Sequence, residues 1–367
     1  MSARPTRELL RALPKAELHC HLDGSVRPGT LLELGAAFGV AMPRDDAESL
    51  GEYMVVRDAR GLEDYLSRFA VTLSVMQTEE ALERIAYELG TDAAADGVRY
   101  IEVRYSPILN TEAGLSLGAA VEAPLRGLDR ARREHGIIGR VIVCAIRNMA
   151  PDISLELARL AVAYRHRGVV AFDLAGGELG NPAAEHRRAF EHARLNDLPC
   201  TCHAGEGDGA DSVRQALHVC GAHRLGHATR LIEDASLTEF VSDRRIPLEI
   251  CLTSNVQTRV TSAYERHPLR AYFDRGLNVA LNTDNRLMSG VTLTDEYLLA
   301  AEHLDFDFDE LSRIALNGFR SAFLPYAERE RLALEAERDI RTLRASHDAA
   351  AVPPAASLRP GAQGGTA

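Results

Sequence analysis

Apolar residues along this chain gather in short runs rich in Val, Ile and Leu, separated by longer stretches in which they recur every three or four positions. That alternation is the pattern of βα units wound around a parallel sheet. Eight runs stand out, at 16–22, 98–105, 137–146, 169–175, 198–203, 223–227, 246–252 and 277–283. Eight strands separated by helices predict an α/β fold, a closed (β/α)8 TIM barrel, and the 367 residues exceed the ~250 typical of that barrel enough to leave room for insertions. The largest insertion follows the first strand. Within 29–96, helical spacing marks one helix at Leu31, Leu34 and Phe38, a second at Leu62, Leu66, Phe69 and Leu73, and a third over 81–95. An insertion there sits at the catalytic mouth of a barrel and predicts a lid or a wall of the pocket. Beyond the last strand, helices are predicted over 292–303, 307–323 and 326–344, packed on the outside of the barrel. Residues 347–367 are rich in Ala, Pro and Gly without periodicity and predict a disordered tail, so a single domain is expected over 1–346.

Composition narrows the function. A net charge of -11 argues against a nucleic-acid surface, which needs clustered Lys and Arg, and suits neutral or cationic small substrates. No apolar run approaches the ~20 residues of a membrane span, and the N-terminus lacks the apolar core of a signal peptide, so the expectation is a cytoplasmic protein without a membrane partner. The six cysteines fall mostly inside apolar runs, where a free thiol behaves as a small hydrophobe; neither a disulfide framework nor Cys-x-x-Cys zinc spacing is present. Lys15, the only lysine, precedes the first strand at the end opposite His21, which disfavours Schiff-base and P-loop chemistry.

The informative polar residues lie at the C-terminal ends of the predicted strands, where a barrel gathers its site. The first run ends His19-Cys20-His21, and residues two apart on a strand face the same way, so the two imidazoles can share a metal while Cys20 faces the other side. The fifth ends at His203 and continues to Glu206, the sixth ends at His227, and the eighth ends at Asp284. Strands one and eight adjoin in a closed barrel. His19, His21, His203 and Asp284 then form a set of three nitrogens and one oxygen that suits zinc. Glu206 is better placed as a proton donor than as a further ligand, and His227 can orient or deprotonate a water. The other nine histidines, His267 among them, read as surface or packing residues.

Taken together these motifs resemble the adenosine deaminase family of metal-dependent amidohydrolases, from about Leu13 to about Tyr326. The carriers are Pro14 to Ser25, Asp173-Leu174-Ala175-Gly176-Gly177-Glu178, His203-Ala204-Gly205-Glu206, Arg224-Leu225-Gly226-His227, Thr253-Ser254-Asn255 and Leu281-Asn282-Thr283-Asp284. The resemblance implies one zinc per subunit on His19, His21, His203 and Asp284, and attack of an activated water on C6 of a 6-aminopurine with loss of ammonia. Glu206 would protonate N1, and His227 would orient the nucleophile or take its proton. The backbone N–H of Gly176 would meet N3, and Asp23 a ribose hydroxyl. In one place the chain departs from the family, which commonly continues Thr-Asp-Asp-Pro where this sequence has Thr283-Asp284-Asn285-Arg286. An Asn285 amide can donate directly to unprotonated N7. Arg286 either places a positive group near the pocket or forms a structural ion pair.

The resulting expectation is a zinc-dependent deaminase of adenosine or 2'-deoxyadenosine, in purine salvage. The rivals are a deaminase of a modified nucleoside such as aminodeoxyfutalosine, or of adenine, and an inactive barrel that binds a nucleoside or a protein partner. The last is disfavoured because all six of His19, His21, His203, Glu206, His227 and Asp284 are present.

Overall fold

In the computed structural model, which describes residues 4–57 and 59–351, each apolar run supplies one parallel strand. These are β1 (Lys15–His21), β2 (Val98–Tyr105), β3 (Ile138–Ile146), β4 (Val169–Ala175), β5 (Thr201–Ala204), β6 (Arg224–His227), β7 (Leu248–Ile250) and β8 (Val279–Leu281). They pair in sequence order as two four-stranded sheets, β1 to β4 and β5 to β8. Single parallel bridges join the sheets at both seams, Phe172 with Cys200 and Cys20 with Asp284. At the second seam Asp284 N–H donates to His19 O at 3.0 Å, and His21 N–H donates to Asp284 O at 2.7 Å. The result is the expected (β/α)8 barrel, laced more tightly within each half than between the halves.

The later strands are shorter than their apolar runs. Leu198 to Cys200 precede β5, and Pro199 has no N–H for a ladder. The run 246–252 yields a three-residue β7, because Leu252–Gln257 turns into a helix. Its first N–H groups, on Leu252 and Thr253, are received by the buried Glu296 carboxylate at 2.7 and 3.2 Å, which supplies an acceptor that a helix start otherwise lacks.

The insertion after β1 is helical, as expected, but more divided. Helices span Pro28–Phe38, Ala47–Met54, Leu62–Leu66, Phe69–Leu73 and Glu79–Ala95, so the single helix expected over 62–73 is broken near Ser67. After β8, helices Leu293–His303, Phe308–Ser321 and Tyr326–Ala351 follow. Phe319, Ala322, Leu332, Ala333 and Ala336 pack on Ala16, Leu18, Tyr100 and Ala280 as a second apolar cluster. The last helix continues through 347–351, where a disordered tail was expected to begin; residues 352–367 lie outside those described. Among the described residues no helix is long and apolar enough to cross a membrane. Lys15 is fully buried, its ammonium donating to the carbonyls of Leu10 and Leu13 at 2.7 and 2.9 Å, so it caps a helix end. All six cysteines are free and buried.

The barrel interior is polar as well as apolar. Arg104 of β2 donates to Asp173 Oδ2 of β4 at 2.9 Å, to Glu249 Oε2 of β7 at 2.8 Å and to Leu18 O at 2.6 Å. Arg224 of β6 donates to Glu249 Oε1 at 2.6 Å and also to Glu102. All five charged side chains are fully buried. Charges so far from water are tolerable only when paired and hydrogen-bonded on most sides, as here.

Candidate metal centre

Two of the acids of that buried network reach upward and orient imidazoles. His19 Nδ1 lies 3.0 Å from Glu249 Oε2, and His203 Nδ1 lies 3.1 Å from Asp173 Oδ2. A carboxylate facing Nδ1 puts the proton there and leaves a lone pair on Nε2. Those Nε2 atoms converge with two further donors. His21 Nε2 is 3.1 Å from His203 Nε2, and Asp284 Oδ1 is 3.3 Å from the Nε2 atoms of both His19 and His21. All four donor atoms lie within 4.8 Å of one another.

Buried lone pairs crowded in this way repel one another unless a cation lies between them. His19 Nε2 is fully buried and has no hydrogen-bond partner among the described residues, despite the carboxylate nearby. Three imidazole nitrogens and one carboxylate oxygen, with those of His19 and His203 held as lone pairs by the carboxylates on their Nδ1 atoms, fit a divalent ion of the zinc type. The close packing depends on Gly226, since a Cβ there would come within 3.1 Å of both His19 Cε1 and His203 Cα. Asp284 and His227 reach the centre from left-handed backbone, φ 62° and 58°, a conformation costly for non-glycine residues and common at functional sites.

Beside this quartet stand Glu206 and His227, with His227 Nε2 3.5 Å from Glu206 Oε2. Burial pushes the Glu206 carboxyl well above its ordinary pKa, and the negative charges of Asp284 and Glu178 push it further the same way, which favours the protonated acid. Burial, then the neighbouring His19, holds His227 well below the usual imidazole range. The loop that carries Glu206 is fastened by Glu178, whose carboxylate receives the N–H groups of Gly205, Glu206, Gly207 and Asp208 at 2.7, 2.9, 2.6 and 3.1 Å.

Of the remaining expected site residues, Asp23 lies beside a donor, its Oδ1 3.9 Å from His21 Nδ1, and Asn285 follows Asp284 in the chain. Asp23 is buried, with Oδ1 making no hydrogen bond among the described residues, and burial raises its carboxyl to about 7. Asn285 occupies the room left by Gly24, whose added Cβ would fall 1.8 Å from Asn285 Oδ1. Gly176 follows β4 with φ 97°, next to Asn148 and Ile146. The inserted segment covers the centre as a wall: the Phe69 ring lies 6.5 Å from the His21 ring, and Leu62 sits against Gly207.

Arg286 takes the structural course. Its guanidinium is buried against Glu17, with Asp96 at 3.7 Å, and so is already paired. Sequence reasoning assigned no role to Asp173, Glu249 or Glu178, although a charged residue inside an apolar strand run was a visible signal for the first two. His267, placed among the surface or packing histidines, is buried and touches Asn255, whose amide in turn faces His227.

A (β/α)8 barrel with His-x-His on its first strand, further His donors on its fifth and sixth, and an Asp after its eighth defines the amidohydrolase class. Within that class the chain belongs to the adenosine deaminase family, whose model matches residues 14–338. It is 41% identical over 347 residues to an adenosine deaminase from Mycobacterium sp. strain JLS, covering 90% of this chain and 95% of that one. Among solved structures it superposes on an adenine deaminase from Arthrobacter aurescens with a TM-score of 0.83 at 29% identity, covering 89% of this chain and 99% of that one. It superposes on an amidohydrolase from Burkholderia ambifaria with bound zinc at a TM-score of 0.85 and 26% identity, covering 95% and 96%.

Proposed function

We propose that this chain hydrolyses adenosine and 2'-deoxyadenosine to the corresponding inosine and ammonia, using one zinc ion held by His19, His21, His203 and Asp284. The observation that carries this reading is a buried carboxylic acid, Glu206, held beside a four-donor metal site. That pairing is what replacing an amino group on an electron-poor ring requires. Zinc supplies Lewis acidity, lowering the pKa of water from ~15.7 toward ~7 so that a nucleophile exists at neutral pH.

The chain's own residues supply the rest. Glu206 delivers its proton to purine N1, which makes C6 electrophilic and stabilises the tetrahedral adduct; the carboxylate left behind then carries the proton of the added hydroxyl to the amino group, which leaves as ammonia. His227 orients the attacking water. Gly176 N–H meets N3, the Asn285 amide donates to N7, and Asp23 receives a ribose hydroxyl. The inserted segment, with Leu62 and Phe69 at the centre, excludes bulk water.

The relatives named adenosine deaminase favour a nucleoside, while a solved neighbour named adenine deaminase keeps the free base as the reading to be tested against it. For a modified nucleoside with a carboxylate extension, Arg286 is engaged by Glu17, which leaves an Arg of the 29–96 insertion as the cation such a substrate would need. Ammonia release should be measured with adenosine, 2'-deoxyadenosine, adenine, AMP and aminodeoxyfutalosine. The two nucleosides are expected to exceed the others in kcat/KM by about 10²-fold or more, the discrimination open to a site built to hydrogen-bond a sugar hydroxyl. Chelation should abolish turnover and zinc restore it. Faster turnover of adenine than of adenosine would replace the nucleoside assignment.

A further inference from the structure

Which ring nitrogen of His227 carries the proton decides whether Nε2, the atom facing Glu206, donates a hydrogen bond or takes a proton. A chain of contacts running in from the backbone determines this. Leu269 N–H lies 3.1 Å from His267 Nδ1. A backbone amide can only donate, so Nδ1 is the bare nitrogen of His267 and its proton sits on Nε2. His267 stays neutral, since burial lowers it to about 3. Its Nε2 lies 3.1 Å from Asn255 Oδ1, and Thr229 Oγ1 lies 2.9 Å from the same oxygen.

The Nε2–H of His267 fixes which end of the Asn255 amide is oxygen, and the Thr229 hydroxyl is free to donate to the same atom. The amide nitrogen therefore faces His227 Nδ1, at 3.0 Å. An amide N–H also only donates, so His227 Nδ1 must accept, and the proton of the neutral ring is on Nε2. His227, Asn255, His267 and Thr229 are all at most 3% exposed, so water does not compete for these bonds. The helix that carries Asn255 is itself anchored by Glu296.

We propose that Asn255 and His267 are positioning residues that hold His227 as its Nε2–H tautomer, so that His227 orients the attacking water by donating a hydrogen bond, while the water's proton goes to the Glu206 carboxylate left once N1 is protonated. This deepens the deaminase reading and rests on it for the identity of the nucleophile, but the tautomer can be read without any substrate.

The test is ¹⁵N NMR of the zinc-loaded protein labelled at histidine, with the His227 resonances identified by their loss in His227→Gln. Nε2 is expected at a protonated, pyrrole-type shift and Nδ1 at a bare, pyridine-type shift. Asn255→Asp keeps the shape and the acceptor for Thr229 and His267 but turns the donor into a second acceptor, which draws the proton to Nδ1. In that variant the two shifts should exchange, and kcat for adenosine should fall by about 10²-fold or more, the scale of a wrong catalytic tautomer, with KM changed less than about threefold. A pyridine-type Nε2 in the wild-type protein overturns the proposal whatever Asn255→Asp does, and so does an exchanged tautomer with undiminished kcat. A pyrrole-type Nε2 in a protein that deaminates no aminopurine would leave the tautomer standing and remove the deaminase reading instead.

Discussion

Glu206→Gln is expected to keep one metal ion per chain while kcat for adenosine falls by about 10³-fold, within the 10²–10⁴ that a positioned general acid contributes. Glutamine fills the same volume and can donate an N–H, but it cannot hand a proton to N1. The donor quartet would be untouched, because neither His19, His21, His203 nor Asp284 leans on the Glu206 side chain for its orientation, and Glu178 holds the loop through main-chain N–H groups. Asp284→Ala separates the two functions from the other side. It deletes the one anionic donor of the set, so metal retained after dialysis should drop along with activity. Elemental analysis and ammonia release on both variants check the pair. A Glu206→Gln enzyme with kcat within threefold of wild type would end the proton-donor assignment.

Arg104→Met is expected to act on stability and metal together. The guanidinium of Arg104 lies between Asp173 and Glu249, and those same carboxylates face the Nδ1 atoms of His203 and His19. Removing the cation leaves two buried acids undercompensated, and breaking a buried pair from one side typically costs about 3–5 kcal/mol. For a chain of this size that corresponds to a melting temperature lower by about 4–6 °C. The carboxylates would then relax from the imidazoles, and loss of such supporting partners commonly weakens metal affinity about 10–100-fold. Thermal melts with and without zinc, and a metal titration, measure both effects. An Arg104→Met protein that melts within about a degree of wild type would show that the acids are neutralised in some other way.

The barrel was legible because each strand needs an apolar outer face whichever side chains it turns inward, and all eight runs therefore stood out. The convergence of the candidate donors was legible because a barrel sends strand ends to one place, so His19, His203 and Asp284 could be grouped across long separations. Strand lengths were not. Periodicity cannot show that Glu296, far along the chain, will receive the N–H groups of Leu252 and Thr253 and turn the end of an apolar run into a helix. The interior charges were visible singly, as Arg104 or Glu249 inside apolar stretches, but their pairing depends on inward rotation and stagger of strands from both halves. Arg286 shows the same limit. Its proximity to Asp284 in sequence left two readings open, and only the packing of Glu17 and Asp96 around it chose between them. His267 looked unremarkable on a helix flank, because a histidine acting through an intermediary amide leaves no spacing to read.

The two seams carry a consequence for how the protein matures. One half-sheet brings His19 and His21, the other His203, and Asp284 lies at the bridge between them. Neither half alone therefore assembles the full set of ligands, and a partly folded chain has no competent centre however well ordered its finished half is. Recovery of enzymatic turnover during renaturation is thus expected to time the meeting of the halves, which spectroscopic probes of helix content would not report.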